Sequence, residues 1–400
     1  MRFANAAEQS CKPARTIRVL HLVATLASGG PERWILDLCE RGRSEALAMD
    51  IAALDGTEGL FAKKARELGI TVFHCATDGN PFRFIRNLRR LLRVHGPYDA
   101  IHSHLHAYSG FAVLAAWLEN VPARVVHSHN VVQNSLKSLG RRVYIVIARA
   151  LIQMFATAGM GPSAVSTEDL LGPSWRNDPR WSVLRCGIDL SPFRAPIAAT
   201  SSRAAFGIPP DALVLGSVGR LTAEKNSEFL VDILGAVLAR DSHAYLMLIG
   251  EGPLRDRLMC KAQQGGFGER LVLPGTRSDV PAILRGVVDV FVFPSPPPPN
   301  GNEALPIAVV EAQAAGLPTV ISDGITPEAI VVPELVAQIP AAAGADRWAD
   351  TVLDQARRRN AGRADQALAI LEQSDFNCAQ TLKALAKQYG REPASRHNTG

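Results

Sequence analysis

Short apolar runs alternate with segments of helical periodicity along almost the whole chain, and this alternation confines it to parallel α/β architecture. A helix between two strands returns the chain to the same end of a sheet, so the carboxyl ends of parallel strands line one edge. In the first half "IRVLHLVA" (Ile17–Ala24) reads as a strand, followed by the turn "TLASGG" and a helix opening at Pro31. "DIAAL", "TVFHC", "AIHSH" and "RVVHSHN" read as further strands. In the second half "LVLGSVG", "AYLMLIG", "RLVLPG", "VDVFVFPS" and "PTVISD" repeat the pattern. The Pro-, Ser- and Ala-rich stretch "CGIDLSPFRAPIAATSS" divides the two halves near residue 190. At 400 residues the chain exceeds one ordinary core, and two domains are expected. The reading is two Rossmann-like, doubly wound domains facing a central cleft, 17–190 and 191–375, with terminal segments 1–16 and 391–400 disordered.

Composition excludes several classes. Hydrophobic residues make up 47% and charged residues 20%, as in a well-cored globular protein. The cysteines at 11, 39, 75, 186, 260 and 378 form no CxxC pair, which argues against a disulfide framework and favours a reducing compartment. Residues 1–12 lack the apolar core of a secretory signal, and Val143–Phe155 is too short to span a bilayer and contains Arg149. The run "PSPPPPNGN" (Pro294–Asn302) reads as an extended, semi-rigid loop.

Polar groups fall at strand ends. "SVGRLTAEKN" sets Gly219 and Arg220 just past a strand and Lys225 at the start of the next helix, two cations suited to a diphosphate. "GEGPLR" and "GTRSDVP" are further Gly-containing turns that line the same edge of a parallel sheet. In "NEALPIAVVEAQAAGLP", Pro306 fits a first helical turn and Gly316 a stop, so the helix is expected from about Leu305. Glu303 then precedes the helix and Glu311 lies inside it, roughly 10–12 Å away at helical rise. That exceeds the roughly 5–9.5 Å of a carboxylate pair acting on one bond, but suits the two sugar diols of a nucleotide sugar, with helix amides facing the diphosphate between them.

In the first half His102, His104 and His106 gather at one strand end, and His127 and His129 at the next. No cysteine or carboxylate beside them completes a metal set, so no metal is expected. "PFRFIRNLRRLLRVHG" (Pro81–Gly96) is a basic amphipathic helix with Arg83, Arg86, Arg90 and Arg93 on one face. With "KSLGRRVY" (Lys137–Tyr144) it gives the first domain a positive surface that attracts anionic lipid headgroups, at about 1 kcal/mol per basic residue. No aromatic platform or binding motif accompanies the charge, so nucleic acid is not an expected partner.

The residues "VGRLTAEKN", "LIGEGPLR", "LPGTRSDVP", "VDVFVFPS" and "EALPIAVVEAQAAGLPTVISD" resemble the donor half of the retaining family-4 glycosyltransferases. "ASGGPERWILDL", "YDAIHSHLHAYSGFAVL" and "ARVVHSHN" resemble the acceptor half, especially in the bacterial exopolysaccharide and capsule branch. The resemblance spans about Ile17 to Tyr389 and implies the GT-B fold, with the C-terminal helix (376–390) returning to the first domain. It implies hexosyl transfer from a nucleotide-diphosphate sugar, a UDP-sugar above all, to a lipid-linked saccharide, without metal or other cofactor, by a peripheral protein on the cytoplasmic face of the inner membrane.

Position by position, the resemblance gives Arg220 and Lys225 the diphosphate, Glu311 the ribose and Glu303 the transferred sugar. Leu305 and Pro306 lie where the backbone approaches phosphate and sugar, and Arg277 and Ser278 where the base sits. Gly29 and Gly30 match the first-domain glycine loop, His104 the residue near the reacting centre, and His127 and His129 the acceptor side. Ala304 stands where many members have glycine, so its backbone is expected to avoid positive φ, and the proline run lengthens the loop before Glu303. Two other readings are a nucleotide-sugar epimerase or hydrolase-like relative, marked by free nucleotide and sugar without acceptor, and a silent nucleotide-sugar-binding scaffold, marked by binding without turnover.

Overall fold

The computed structural model describes residues 15–26, 30–56, 59–131, 139–297, 300–301, 303–358 and 362–390. Gly29, Lys137, Ser138 and the terminal segments 1–14 and 391–400 lie outside them. Arg15, expected in the disordered N-terminus, pairs with Asp99.

The first sheet comprises β1 (Ile17–Val23), β2 (Leu47–Ala53), β3 (Val72–His74), β4 (Ala100–Ser103), β5 (Ala123–His127), β6 (Ala158–Gly161) and β7 (Trp181–Val183), in the order β3-β2-β1-β4-β5-β6-β7. The second comprises β8 (Leu213–Val218), β9 (Ala244–Ile249), β10 (Leu271–Gly275), β11 (Val290–Phe293), β12 (Thr319–Ser322) and β13 (Val336–Ile339), in the order β10-β9-β8-β11-β12-β13. All the strand pairs within them are parallel. The order reverses between β1 and β4 in one sheet and between β8 and β11 in the other, and such reversals open a crevice at the carboxyl edge.

Each sheet is buried on both faces, which explains its nearly unbroken apolar strands. Val19 and Val125 enter one core layer while their neighbours Leu20 and Val126 enter the other. In the second sheet Phe291 and Phe293 face one layer and Val290 and Val292 the opposite one. β6, β7 and β13 escape the sequence reading, and "AGMG" of β6 carries no β-branched residue.

The chain crosses between the domains a second time. Ile188 forms a parallel bridge with Asn377, its N–H donating to the Phe376 carbonyl at 2.7 Å and its carbonyl accepting from Cys378 N–H at 3.1 Å. The helix Cys378–Tyr389 then packs Leu382, Leu385 and Tyr389 into the first domain's core beside Trp34 and Cys39. The C-terminal helical stretch comprises two helices, Arg363–Gln373 and Cys378–Tyr389. Glu328 adds a polar tie, accepting from Arg185 of the first domain and from the Ala164 N–H at 2.9 Å.

The strand-end turns of the second domain pack closely enough to require glycine. At Gly250 φ is 142° and an added Cβ lies 2.1 Å from the Gly219 carbonyl oxygen. Gly250→Ala is therefore expected to destabilise the protein by more than about 1 kcal/mol, read as a lower urea midpoint with an unchanged slope.

Candidate active site

The turn after β8 is laced to its neighbours by backbone hydrogen bonds. Gly219 N–H donates to Ile249, Leu221 N–H to Glu251 and Gly250 N–H to Gly275, each at 3.0 Å. Asn226 takes left-handed backbone (φ 56°), and its side-chain amide donates to the Pro294 carbonyl at 3.1 Å. Ser295 Oγ donates to the Glu224 carbonyl at 2.9 Å, so the β8 and β11 loops form one unit. Between them lies a crevice lined by Gly219, Arg220, Lys225 and Phe293. The Pro-rich loop is seated against Gly324, where an added Cβ would lie 2.5 Å from Pro297 N.

Glu303 and Lys225 form a largely buried ion pair. The sequence reading placed them at different parts of a donor, and the fold couples them directly. Burial, with a smaller contribution from Arg220, pushes the Lys225 ammonium down to about 8, while Glu224 opposes the shift. Arg220 is mostly exposed and pairs with Glu224 at 2.5 Å within the loop after β8. Phe293 lies beneath the Lys225 ammonium, 5.7 Å from nitrogen to ring centroid.

The segment around the two glutamates departs from the expected helix. Glu303 forms an antiparallel bridge with Asn130 of the first domain, and the helix runs only from Ile307 to Ala314. Pro306 is its N-cap with ψ 105°, not its first turn, so the helical estimate of the Glu303–Glu311 separation does not apply. Leu305 is buried beside this entrance, and Ala304 is buried with no positive φ, as the alanine required.

Glu311 is half-buried and raised above the usual carboxylate range by burial, with Arg33 opposing and Asp37 reinforcing the shift. Arg33 and Asp37 belong to the first-domain helix Gly30–Gly42, so Glu311 faces across the cleft. On the same helix burial raises Glu32, and the charge of Arg220 from the second domain opposes it. Gly30 opens that helix and is exposed. The sequence reading did not single out Glu32, Arg33 or Trp34. Arg277 is held by Asp279 through two 2.8 Å hydrogen bonds and stacks over Phe206 at 5.6 Å, while Ser278 is exposed.

The first sheet's reversal point carries imidazoles. His21 from β1, His102 from β4 with His104 just past its end, and His127 from β5 with His129 just past its end gather together, and Trp34 packs against His104, His127 and His129. His104 Nε2 meets His21 Nδ1 at 3.0 Å, and His104 Nδ1 meets His129 Nε2 at 2.8 Å. His102 Nε2 meets His127 Nδ1 at 3.2 Å and His102 Nδ1 meets the Tyr389 hydroxyl at 2.7 Å. Burial, assisted by mutual repulsion, holds His102, His104 and His127 well below the ordinary histidine value, and His21 and His129 fall to about 3. All five are therefore neutral at pH 7. His106, grouped with them in sequence, instead pairs with Asp169 at 3.0 Å. His21 was missed because it lies within an apolar strand far from the other four in sequence.

Comparison with known proteins gives a consistent result. Residues 199–364 match the family model described as glycosyl transferases group 1, and residues 29–187 the glycosyl transferase 4-like domain. EpsF of Bacillus subtilis (strain 168), whose glycosyltransferase designation is provisional, is 32% identical over 387 residues, covering 95% of this chain and 98% of that protein. The UDP-Gal:alpha-D-GlcNAc-diphosphoundecaprenol alpha-1,3-galactosyltransferase of Escherichia coli is 27% identical over 236 residues, 56% of this chain and 58% of the relative. The crystal structure of Anabaena HepE in complex with UDP-glucose shares the fold, with TM-score 0.74, 19% identity and coverage of 93% and 98%.

The burial of Lys225 is directly measurable. Its rate of modification by an amine reagent, followed by mass spectrometry, is expected to rise with pH through a midpoint near 8; a midpoint in the range of a free lysine would contradict this environment. Because the folded value lies below the unfolded one, its contribution to stability grows as pH climbs from about 8 toward the free-lysine range.

Proposed function

From a chain that belongs to the family-4-like glycosyltransferases of GT-B fold, we propose a retaining hexosyltransferase that uses a nucleotide-diphosphate sugar, a UDP-sugar, to extend a lipid-linked saccharide in exopolysaccharide or capsule synthesis. The observation that carries this reading is the crevice at the β8–β11 reversal, where Lys225 and Arg220 stand beside strand-end glycine backbone. As the bond between anomeric carbon and phosphate oxygen breaks, negative charge grows on the diphosphate. Two fixed cations placed there stabilise that charge without a metal ion. Glu311 takes the ribose hydroxyls and Glu303 the transferred sugar, with Leu305 and Pro306 between them. The UDP-containing HepE complexes and the diphosphoundecaprenol acceptor in the name of the Escherichia coli relative support the substrate classes. His104 and His129, half-buried and neutral, stand on the acceptor side of the cleft.

The acceptor's lipid end gives a reason for peripheral association with the cytoplasmic face of the inner membrane. No helix among the described residues is long and apolar enough to cross a membrane. The helix Leu139–Phe155 leaves Leu139, Val143, Val146, Ile147 and Met154 exposed, and Arg141 and Arg142 lie near its start. This helix and Pro81–His95 both pack on the helix Ser109–Leu118, so they occupy the same side of the sheet. Their combination of apolar and basic groups suits an anionic bilayer surface. The expected arginine face is partly engaged: Arg83 pairs with Asp78 and Arg93 with Glu119, while Arg86 and Arg90 are exposed.

Three measurements test the reading. Transfer from UDP-sugar is expected to persist in excess chelator, and Arg220→Ala to lower turnover by about 10²-fold or more; abolition by chelator with rescue by magnesium or manganese would refute the charge assignment. Glu311→Ala is expected to weaken UDP binding by about 10- to 150-fold in calorimetry. Glu303→Gln should leave UDP affinity nearly unchanged while reducing turnover, and an equal loss of UDP affinity in both variants would refute their separate roles. Replacing Val146 and Ile147 by Ser is expected to reduce co-sedimentation with anionic vesicles while activity on a soluble acceptor survives; undiminished binding would place the docking surface elsewhere.

A further inference from the structure

The five imidazoles exceed what acceptor binding requires, and their hydrogen bonds are directional. One nitrogen from each of His104, His127 and His129 lies within 4.8 Å of the others. In each residue the second nitrogen already has a partner. His127 Nδ1 meets His102, which is held in turn by Tyr389. His104 Nε2 meets His21, and His129 Nδ1 lies 3.9 Å from the Cys186 sulfur. That leaves His104 Nδ1, His129 Nε2 and His127 Nε2 as the inward set, and His127 Nε2 is buried with no hydrogen-bond partner. A buried imidazole nitrogen without a partner is costly, and a metal ion would satisfy it.

We propose that His104, His127 and His129 form a binding site for a divalent late-transition-metal ion of the zinc class. Three imidazoles with an open fourth position are a complete ligand set for such an ion. Metal–nitrogen distances of about 2.0–2.1 Å place tetrahedral nitrogens about 3.3–3.4 Å apart. The 2.8 Å spacing of His104 and His129 is a shared proton that the ion displaces, and the third ring closes by rotation. Partners on the outer nitrogens fix tautomer and ring orientation, as they do around histidine-bound metals. His104 and His129 are half-exposed, which provides entry from the cleft, whereas His21 and His102 are fully buried and act as outer supports. The ion is not needed for the transfer chemistry proposed above. By occupying the His104 lone pair it inhibits transfer; this consequence alone rests on that proposal.

The test uses chelator-stripped, full-length protein titrated with cobalt(II). Binding of a single equivalent with the intense visible bands of tetrahedral cobalt is expected, displaced by zinc. His129→Gln and His127→Gln should each weaken binding by more than about 100-fold, and Tyr389→Phe, acting through His102, by about 10-fold. His106→Gln, outside the cluster, should bind as the parent does. The half-exposed His129 gives a variant that spares the buried core, and circular dichroism checks each fold. Absence of the bands in the parent, or unchanged affinity in folded His129→Gln, would overturn the site whether or not the protein transfers sugar.

Discussion

Parallel strand pairing is the constraint from which the functional architecture follows. Each strand in both sheets points the same way as its neighbours, so each sheet gathers its strand-end loops on one edge. The reversals at β1/β4 and β8/β11 then part those loops into crevices. One crevice holds Gly219, Arg220 and Lys225, and the other holds the imidazoles. The Asn130–Glu303 bridge brings the two edges into contact, and the Ile188–Asn377 crossing fixes the C-terminal helix against the first domain.

The two edges differ in electrostatic character. On the second domain Lys225, Arg220, Glu224 and Glu303 are ionic and mutually paired. Burying Lys225 costs solvation, and its partner Glu303 offsets part of that cost. On the first domain burial removes charge altogether, leaving neutral imidazoles that pair with one another, with His21 Nε2 and His127 Nε2 buried without a hydrogen-bond partner. An ionic edge and a neutral, imidazole-lined edge thus meet at the cleft. Glu32, Arg33 and Asp37 on the first-domain helix Gly30–Gly42 carry the field of each edge to the other, acting on Glu311 and responding to Arg220.

Strands with β-branched and aromatic runs, such as β8 and β11, were readable because their composition matches a doubly buried surface. β6 was not, since "AGMG" gains its strand conformation from neighbours: an added Cβ at Gly159 would lie 2.6 Å from Trp181. Pro306 and Gly316 signalled a helix correctly, but the cross-domain bridge at Glu303 holds the segment before Ile307 extended. No local rule anticipates a contact supplied by a residue so distant in sequence.

By itself the sequence determined the fold class, the two-domain division and the edge on which functional groups would appear, because periodicity and strand-end glycines are local properties. It also identified Arg220, Lys225, Glu303 and Glu311 as one constellation through spacing and resemblance. Only the tertiary structure decided which of these groups touch. It paired Lys225 with Glu303, turned Glu311 toward the first domain, and joined His21 and Tyr389 to histidines read as two separate strand-end groups. Those contacts depend on how strands order themselves within a sheet and how two sheets meet. Both are set by burial summed over the whole core.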